Sequence, residues 1–155
     1  SNLREIDTYY SRPDVDFMQT VECLRIRQRD SFAEVTYKPA TTTATHTEND
    51  VIIKPETNLP IQPEDAATAK QLLANLGMMQ LVEVNKYRRS FQSSDFPQAT
   101  VAIDEIKDAG TFVEVEVLSD DEASALIMIS EIETKLSLDS MEIVTRPYRD
   151  ICMGL

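Results

Sequence analysis

Thr111-Phe112-Val113-Glu114-Val115-Glu116-Val117-Leu118 sets two glutamates against three valines in alternation. Successive side chains of a strand point to opposite faces, so this stretch reads as a β-strand with one apolar face and one acidic face. Leu24-Arg25-Ile26-Arg27 repeats the design with the opposite charge, and Thr36-Tyr37-Lys38 and Lys86-Tyr87-Arg88 resemble it. Arg25 then shares a face with Arg27, Lys86 with Arg88, and Glu114 with Glu116. Their apolar neighbours Leu24, Ile26, Val113, Val115 and Val117 need a cover, which helices are expected to supply. A solvated strand more commonly mixes Lys, Thr, Ser and Glu on its wet side. Four strands that separate cations from carboxylates point instead to a cavity holding a polyanion and its metal ions.

The chemistry gives that separation a reason. Guanidinium forks and ammonium point charges neutralise the non-bridging oxygens of a triphosphate. Two neighbouring carboxylates suit Mg²⁺ or Mn²⁺, which bind through a few carboxylates together with phosphate oxygens and water. The charged side chains Arg25, Arg27, Lys38, Lys86, Arg88, Glu114 and Glu116 are therefore expected to converge within one cavity. The fold is expected to tolerate loss of Arg27, with relief of cation repulsion in the empty site in its favour.

The 155 residues make one domain's worth of chain, residues 1–155, with 42% hydrophobic residues to fill a core. No apolar run approaches the roughly 20 residues of a membrane span, and a secretory signal is not expected from the residues as printed. Cys23 and Cys152 have neither metal-ligand spacing nor the makings of a disulfide framework, so a reducing cytoplasm is the expected location. His46 sits in a Thr-rich connector and is expected to be solvated. A net charge of −12 argues against a broad nucleic-acid surface, because phosphate contacts need clustered external Lys and Arg. It leaves room for a small phosphorylated molecule bound by a local cationic strip.

Strands dominate the rest of the chain. Residues 4–10 read as a strand ending in a turn at Ser11-Arg12-Pro13-Asp14. Residues 23–29 and 32–38 form a hairpin across Asp30-Ser31. Residues 51–59 read as a strand that Pro55 marks as an edge or a bulge. Residues 63–76 are the clearest helix: Pro63 and Glu64 suit its first turn, Ala66, Ala69, Leu72, Leu73 and Leu76 recur at helical spacing, and Gly77 stops it. A long strand over 78–92 pairs with 100–106 across Ser93-Ser94-Asp95-Phe96-Pro97. Residues 120–136 form a second helix, with Asp120 and Asp121 at its start and a core-facing stripe of Leu126, Ile129, Ile132 and Leu136. The fold class is α+β, built on a curved antiparallel sheet.

In order along the chain, Asp7-Thr8-Tyr9-Tyr10, Leu24-Arg25-Ile26-Arg27, Thr36-Tyr37-Lys38-Pro39, Lys86-Tyr87-Arg88, Ile103-Asp104-Glu105-Ile106, Gly110-Thr111-Phe112-Val113-Glu114-Val115-Glu116 and Pro147-Tyr148-Arg149 resemble the CYTH family. That family comprises class IV adenylate cyclases, thiamine triphosphatases and related triphosphate tunnel metalloenzymes. The resemblance implies an eight-stranded antiparallel β-barrel tunnel with flanking helices and inward-pointing charges. By motif it implies that Arg25, Arg27, Lys38, Lys86, Arg88 and Arg149 bind phosphate. Glu114 and Glu116 match the metal-binding acids. Lys86, Arg88 and Asp104 fall to catalysis, with Asp104 orienting a basic neighbour or the metal's water. Lys54-Pro55-Glu56-Thr57-Asn58 falls where relatives carry an R-x-E-x-E-like strand. Glu56 is kept as a metal ligand there, and Asn58 replaces the second acid.

The family's E-x-E-x-K strand has no counterpart, because Arg4-Glu5-Ile6-Asp7-Thr8-Tyr9 aligns with the later D-x-Y-Y strand. The expectation is an N-terminally incomplete domain whose first strand and helix precede Ser1. The implied function is a metal-dependent enzyme acting on a triphosphate such as ATP, with Mg²⁺ or Mn²⁺. A cyclase forming cyclic AMP and pyrophosphate competes with a triphosphatase acting on inorganic, thiamine or nucleoside triphosphates. Tyr148-Arg149 tilts the comparison towards the cyclase branch. A non-catalytic phosphate-binding tunnel is the rival from another class, and a purely structural domain a weaker one. Neither nucleic acid nor membrane is an expected partner, and homodimer formation is left open.

Overall fold

The computed structural model describes residues 1–40 and 55–155. His46, Lys54 and the first part of the strand expected over 51–59 lie outside the described residues. The element order is β1 (Asn2–Ser11), α1 (Phe17–Thr20), β2 (Cys23–Arg29), β3 (Phe32–Lys38), β4 (Thr57–Ile61), a 3₁₀ turn (Pro63–Asp65), α2 (Ala66–Asn75), β5 (Met79–Ser93), β6 (Phe96–Ile106), β7 (Gly110–Val117), α3 (Glu122–Lys135) and α4 (Tyr148–Cys152). The strands form one antiparallel sheet in the order β4-β3-β2-β1-β5-β6-β7. An antiparallel sheet with flanking helices was expected, and it is present. Among the described residues it has seven strands where the resemblance implied eight, and its pairings do not close into a barrel. The chain divides into two compact units.

The first unit comprises Arg4–Asn85 and Tyr148–Leu155. The hairpin turns at Asp30-Ser31 as expected, with Arg29 opposite Phe32 and Cys23 opposite Lys38. Among the described residues β4 pairs only with β3 and ends the strand order, a position that tolerates Pro60. Tyr10, Ile26, Ala33 and Ala66 form the buried core, with Leu24, Val35, Ile61, Ala69, Leu73 and Met78 packed around them. α2 thus faces the sheet with Ala66, Ala69 and Leu73, one narrow stripe in which two alanines permit close approach. Leu72 and Leu76, expected in the same stripe, are 57% and 69% exposed. Leu72 lies about 100° around the helix from Leu73, which carries it off the contact line. Gly77, at φ +85°, ends this segment in the left-handed conformation that glycine adopts without strain.

Two short helices were not anticipated, α1 and α4. The Asp16 carboxylate accepts from the Met18 amide at 2.9 Å and caps α1, which buries Phe17. Four residues are too few to show helical periodicity, so only the Asp16 cap could have signalled it.

The second unit comprises Ser1–Leu3 and Lys86–Pro147. Here the later half of β5, β6 and β7 form a three-stranded ladder, with Arg88 opposite Asp104 and Asp104 opposite Phe112. The β5–β6 hairpin is tighter than expected, because Phe96 already pairs with Ser93. Asp121 caps α3 by accepting from the Ser124 amide at 3.0 Å, and the helix lies on β7. Beneath it is a cavity of about 530 Å³ lined by Phe91, Phe96, Val101, Ile103, Val113 and Ile132, among others. The expected core stripe of α3 is only partly realised. Ile132 is buried and Ile129 half-buried, but Leu126 and Leu136 are 60% and 49% exposed. A single helix over three strands covers one line of its own side chains, and Val113 is likewise left 37% exposed.

Candidate functional site

The β1–β2–β3 ladder places charge on one face by register alone. Asp7 lies opposite Arg27, Tyr9 opposite Arg25, Arg27 opposite Glu34, and Arg25 opposite Thr36. Alternation adds Glu5, Arg29 and Lys38 to the same face, while Leu24 and Ile26 face the core. The cationic strand is therefore matched by an acidic one. Glu5 and Asp7 are 1% and 5% exposed, and buried carboxylates need partners. Arg27 donates from Nε to Asp7 Oδ1 at 2.7 Å and from Nη2 to Asp7 Oδ2 at 2.6 Å. Its Nη2 also lies 3.1 Å from Glu5 Oε1. Arg29 grips Glu5 Oε2 from Nε at 2.7 Å and Nη2 at 2.6 Å.

These contacts correct the expectation that Arg27 stands among repelling cations. Burial by itself would lower the Arg27 pKa, but the hydrogen bonds and charge of Asp7, with the charge of Glu5, raise it overall. Arg25 is held more loosely: Nη1 is 3.9 Å from Asp7 Oδ2, and its buried Nε has no hydrogen-bond partner among the described residues. It is the cation of this face with most bonding capacity left.

Tyr9 and the chain terminus complete the cluster. The Arg149 guanidinium of α4 sits 5.8 Å from the Tyr9 ring centroid, within cation–π range, and its Nε donates to Asp150 at 2.9 Å. The Tyr9 phenol is pushed up to about 12, first by burial and then by the charge of Asp7. A raised folded-state pKa means the native protein keeps a proton that the unfolded chain releases. The associated stability is complete below about pH 10 and is lost as pH rises towards 12. Tyr9→Phe should abolish that part of the alkaline loss, about 3 kcal/mol at most, in melts followed from pH 9 to 12. A wild-type slope retained in the variant would assign the alkaline transition to other groups.

Lys38 pairs with Glu56 at 3.3 Å, and Asn58 accepts from Thr36 Oγ1 at 2.9 Å. The position that replaces a family acid thus takes part in a neutral hydrogen bond.

The second charged face lies on β5, β6 and β7. Arg88 donates from Nε to Asp104 Oδ1 at 2.7 Å and from Nη2 to Asp104 Oδ2 at 2.5 Å, and Nη2 also meets Glu114 Oε2. Asp104 is fully buried, whereas the Glu114 side chain is 46% exposed. The Arg88 pKa is raised, chiefly by the hydrogen bonds to Asp104, against the opposing effect of burial and with help from Glu114. Lys86 and Glu116 belong to the same strand faces by alternation.

Each unit therefore gathers its own share of the expected site residues. Arg25, Arg27, Lys38, Glu56 and Arg149 lie in the first, and Lys86, Arg88, Asp104, Glu114 and Glu116 in the second. Glu5, Asp7, Tyr9 and Arg29 are members of the charged face that sequence reasoning missed. The alternation in Glu5-Ile6-Asp7-Thr8-Tyr9 carries their signal, since it sets two acids and a phenol on one face of a strand.

Exposed carboxylates are the hard oxygen donors that Mg²⁺ and Mn²⁺ take. No group of three or more His, Cys, Asp or Glu suited to a metal gathers among the described residues. A pair such as Glu114 and Glu116 fits an ion that fills its remaining positions with water and phosphate oxygens.

The fold and its two charged faces define a class. The chain belongs to the CYTH domain family, whose model matches residues 1–148. It is 28% identical to "Putative adenylate cyclase MJ0240" of Methanocaldococcus jannaschii over 148 residues, which is 94% of this chain and 79% of that protein. It is 31% identical to adenylate cyclase CyaB of Aeromonas hydrophila over 91 residues, covering 57% of this chain and 46% of that one. Among solved structures it resembles the PH1819 protein of Pyrococcus horikoshii OT3. That match has a TM-score of 0.65 at 26% identity and covers 99% of this chain and 85% of the other. Among the described residues, no helix is long and apolar enough to cross a membrane.

Proposed function

We propose that this domain acts on a triphosphate in a metal-dependent reaction of the class IV adenylate cyclase type, converting ATP to cyclic AMP and pyrophosphate. The observation that carries the reading is the family match over nearly the whole chain, with arginines held on partly buried strand faces. Two relatives named as adenylate cyclases favour cyclisation over hydrolysis. In this reading Arg25, Arg27, Lys38 and Arg149, with Lys86 and Arg88, bind non-bridging phosphate oxygens by charge-assisted hydrogen bonds. Glu114 and Glu116 hold Mg²⁺ or Mn²⁺, and Glu56 is assigned to the metal as well. When bound, the ion supplies charge neutralisation at the phosphoryl group and at the leaving oxygen. Lys86, Arg88 and Asp104 serve catalysis, Asp104 through its hold on Arg88. The substrate is a small molecule in the cytoplasm.

Cyclisation and hydrolysis use the same cations and differ in where the nucleophile sits. The test is a product screen with ATP, inorganic triphosphate and thiamine triphosphate, in Mg²⁺ and in Mn²⁺. Cyclic AMP with pyrophosphate supports the cyclase, orthophosphate alone supports a triphosphatase, and binding without turnover leaves a phosphate-binding module. Replacing both Glu114 and Glu116 with Gln keeps shape and removes charge. Mn²⁺ affinity in the presence of inorganic triphosphate should then fall about tenfold or more. An unchanged Mn²⁺ titration in the folded variant would place the ion elsewhere.

A further inference from the structure

One arrangement occurs twice in this chain, once in each unit. Asp7 and Arg27 are directly opposite each other on β1 and β2, as are Arg88 and Asp104 on β5 and β6. In both pairs the aspartate takes the same edge of the guanidinium, Nε with one oxygen and Nη2 with the other. Both aspartates are essentially buried, at 5% and 0% exposure, while the arginine side chains are 21% and 22% exposed. A glutamate leans on the same Nη2 in each case, Glu5 on Arg27 and Glu114 on Arg88. Neither Nη1 donates a hydrogen bond to another of the described residues.

A guanidinium is a planar fork of five N–H donors. Once its Nε–Nη2 edge is fixed by two parallel bonds, the whole plane is fixed, and two Nη1 hydrogens remain for a ligand. A free arginine would lose rotamer entropy on meeting a phosphate; a clamped one has lost it on folding. We infer that Asp7 and Asp104 are matched positioning residues. Each acts through its arginine, holding the Nη1 edge ready for a phosphate oxygen without touching the ligand itself. The inference rests on the proposed triphosphate reading, and its new element is Asp7, a residue that reading leaves without a role.

The experiment uses Asp7→Asn, which keeps the size of the side chain. Its carbonyl oxygen still accepts from Nε, but its amide faces Nη2 donor to donor, so the second bond is lost. The first measurement needs no ligand. Arginine side-chain ¹⁵N relaxation should show a rigid Arg27 Nε–H in the wild type and a mobile one in the variant. The second is calorimetric titration with inorganic triphosphate in Mg²⁺, where Asp7→Asn should weaken binding about tenfold. In an Arg27→Lys background the same change should have little effect, because the fork it positions is gone. Equal Arg27 mobility in wild type and variant overturns the inference outright. An equal loss in both backgrounds does so too, since it would show Asp7 acting independently of Arg27. Wild-type binding that Asp7→Asn leaves intact overturns the positioning role alone. A wild type that binds no triphosphate overturns the functional reading and, with it, the proposed use of the clamp.

Discussion

Arg27→Ala is expected to destabilise this domain by about 2–4 kcal/mol, one of the largest effects of any single substitution on its charged faces. The reason is the pair of acids beneath it. Asp7 would lose both short hydrogen bonds from Arg27, and Glu5 would lose its 3.1 Å contact. At 5% and 1% exposure neither carboxylate can turn to water instead. Arg29 still grips Glu5, and Arg25 is 3.9 Å from Asp7, which keeps the loss below that of a fully orphaned charge. At an m-value of about 2 kcal/mol/M the urea midpoint should fall by roughly 1–2 M. Arg27→Lys should recover part of it, since an ammonium still neutralises the acids but cannot make the fork. An unchanged midpoint for Arg27→Ala would mean that the Arg27–Asp7 pair contributes no net stability.

The second large effect belongs to Arg88 and Asp104. Removing Arg88 takes two hydrogen bonds from a carboxylate that is fully buried, whereas removing Asp104 frees an arginine that still meets the exposed Glu114. Arg88→Ala should therefore destabilise by about 3 kcal/mol, and Asp104→Ala by less. In a double-mutant cycle the pair should show a coupling of about 2–3 kcal/mol, because loss of both partners leaves no buried charge behind. Additive single effects in urea unfolding would show that the two residues stabilise the fold independently.

Both ion pairs were only half legible in the sequence. Alternation located the charged faces correctly: Arg25 with Arg27, and Glu114 on the opposite side from the valines. The hairpin at Asp30-Ser31 and the stop at Gly77 were equally legible, because turn chemistry is local. The counter-charges were not. Period-2 patterning says which side chains share a face of one strand, but the partner across the ladder depends on register between strands. The expectation that Arg27 stands among repelling cations needs correcting for that reason, since Asp7 and Glu5 face it from β1. The helix stripes erred differently. Leu72 of α2 and Leu126 of α3 match the helical period, yet the width of the buried stripe depends on what the helix meets. Two alanines bring α2 close to its sheet along one line, and α3 covers a single ladder. Of the strand expected over 51–59, the described residues show Thr57–Ile61, which ends the strand order in keeping with the edge that Pro55 signalled.

The central claim is that these charged faces bind a triphosphate. Its most direct test is calorimetric titration of the wild-type protein, in Mg²⁺ at fixed ionic strength, with inorganic triphosphate and separately with orthophosphate. The clustered arginines predict saturable binding of triphosphate at least about tenfold tighter than of orthophosphate, and weaker as salt is raised. No saturable heat with triphosphate, or equal affinity for the two anions, would contradict the account.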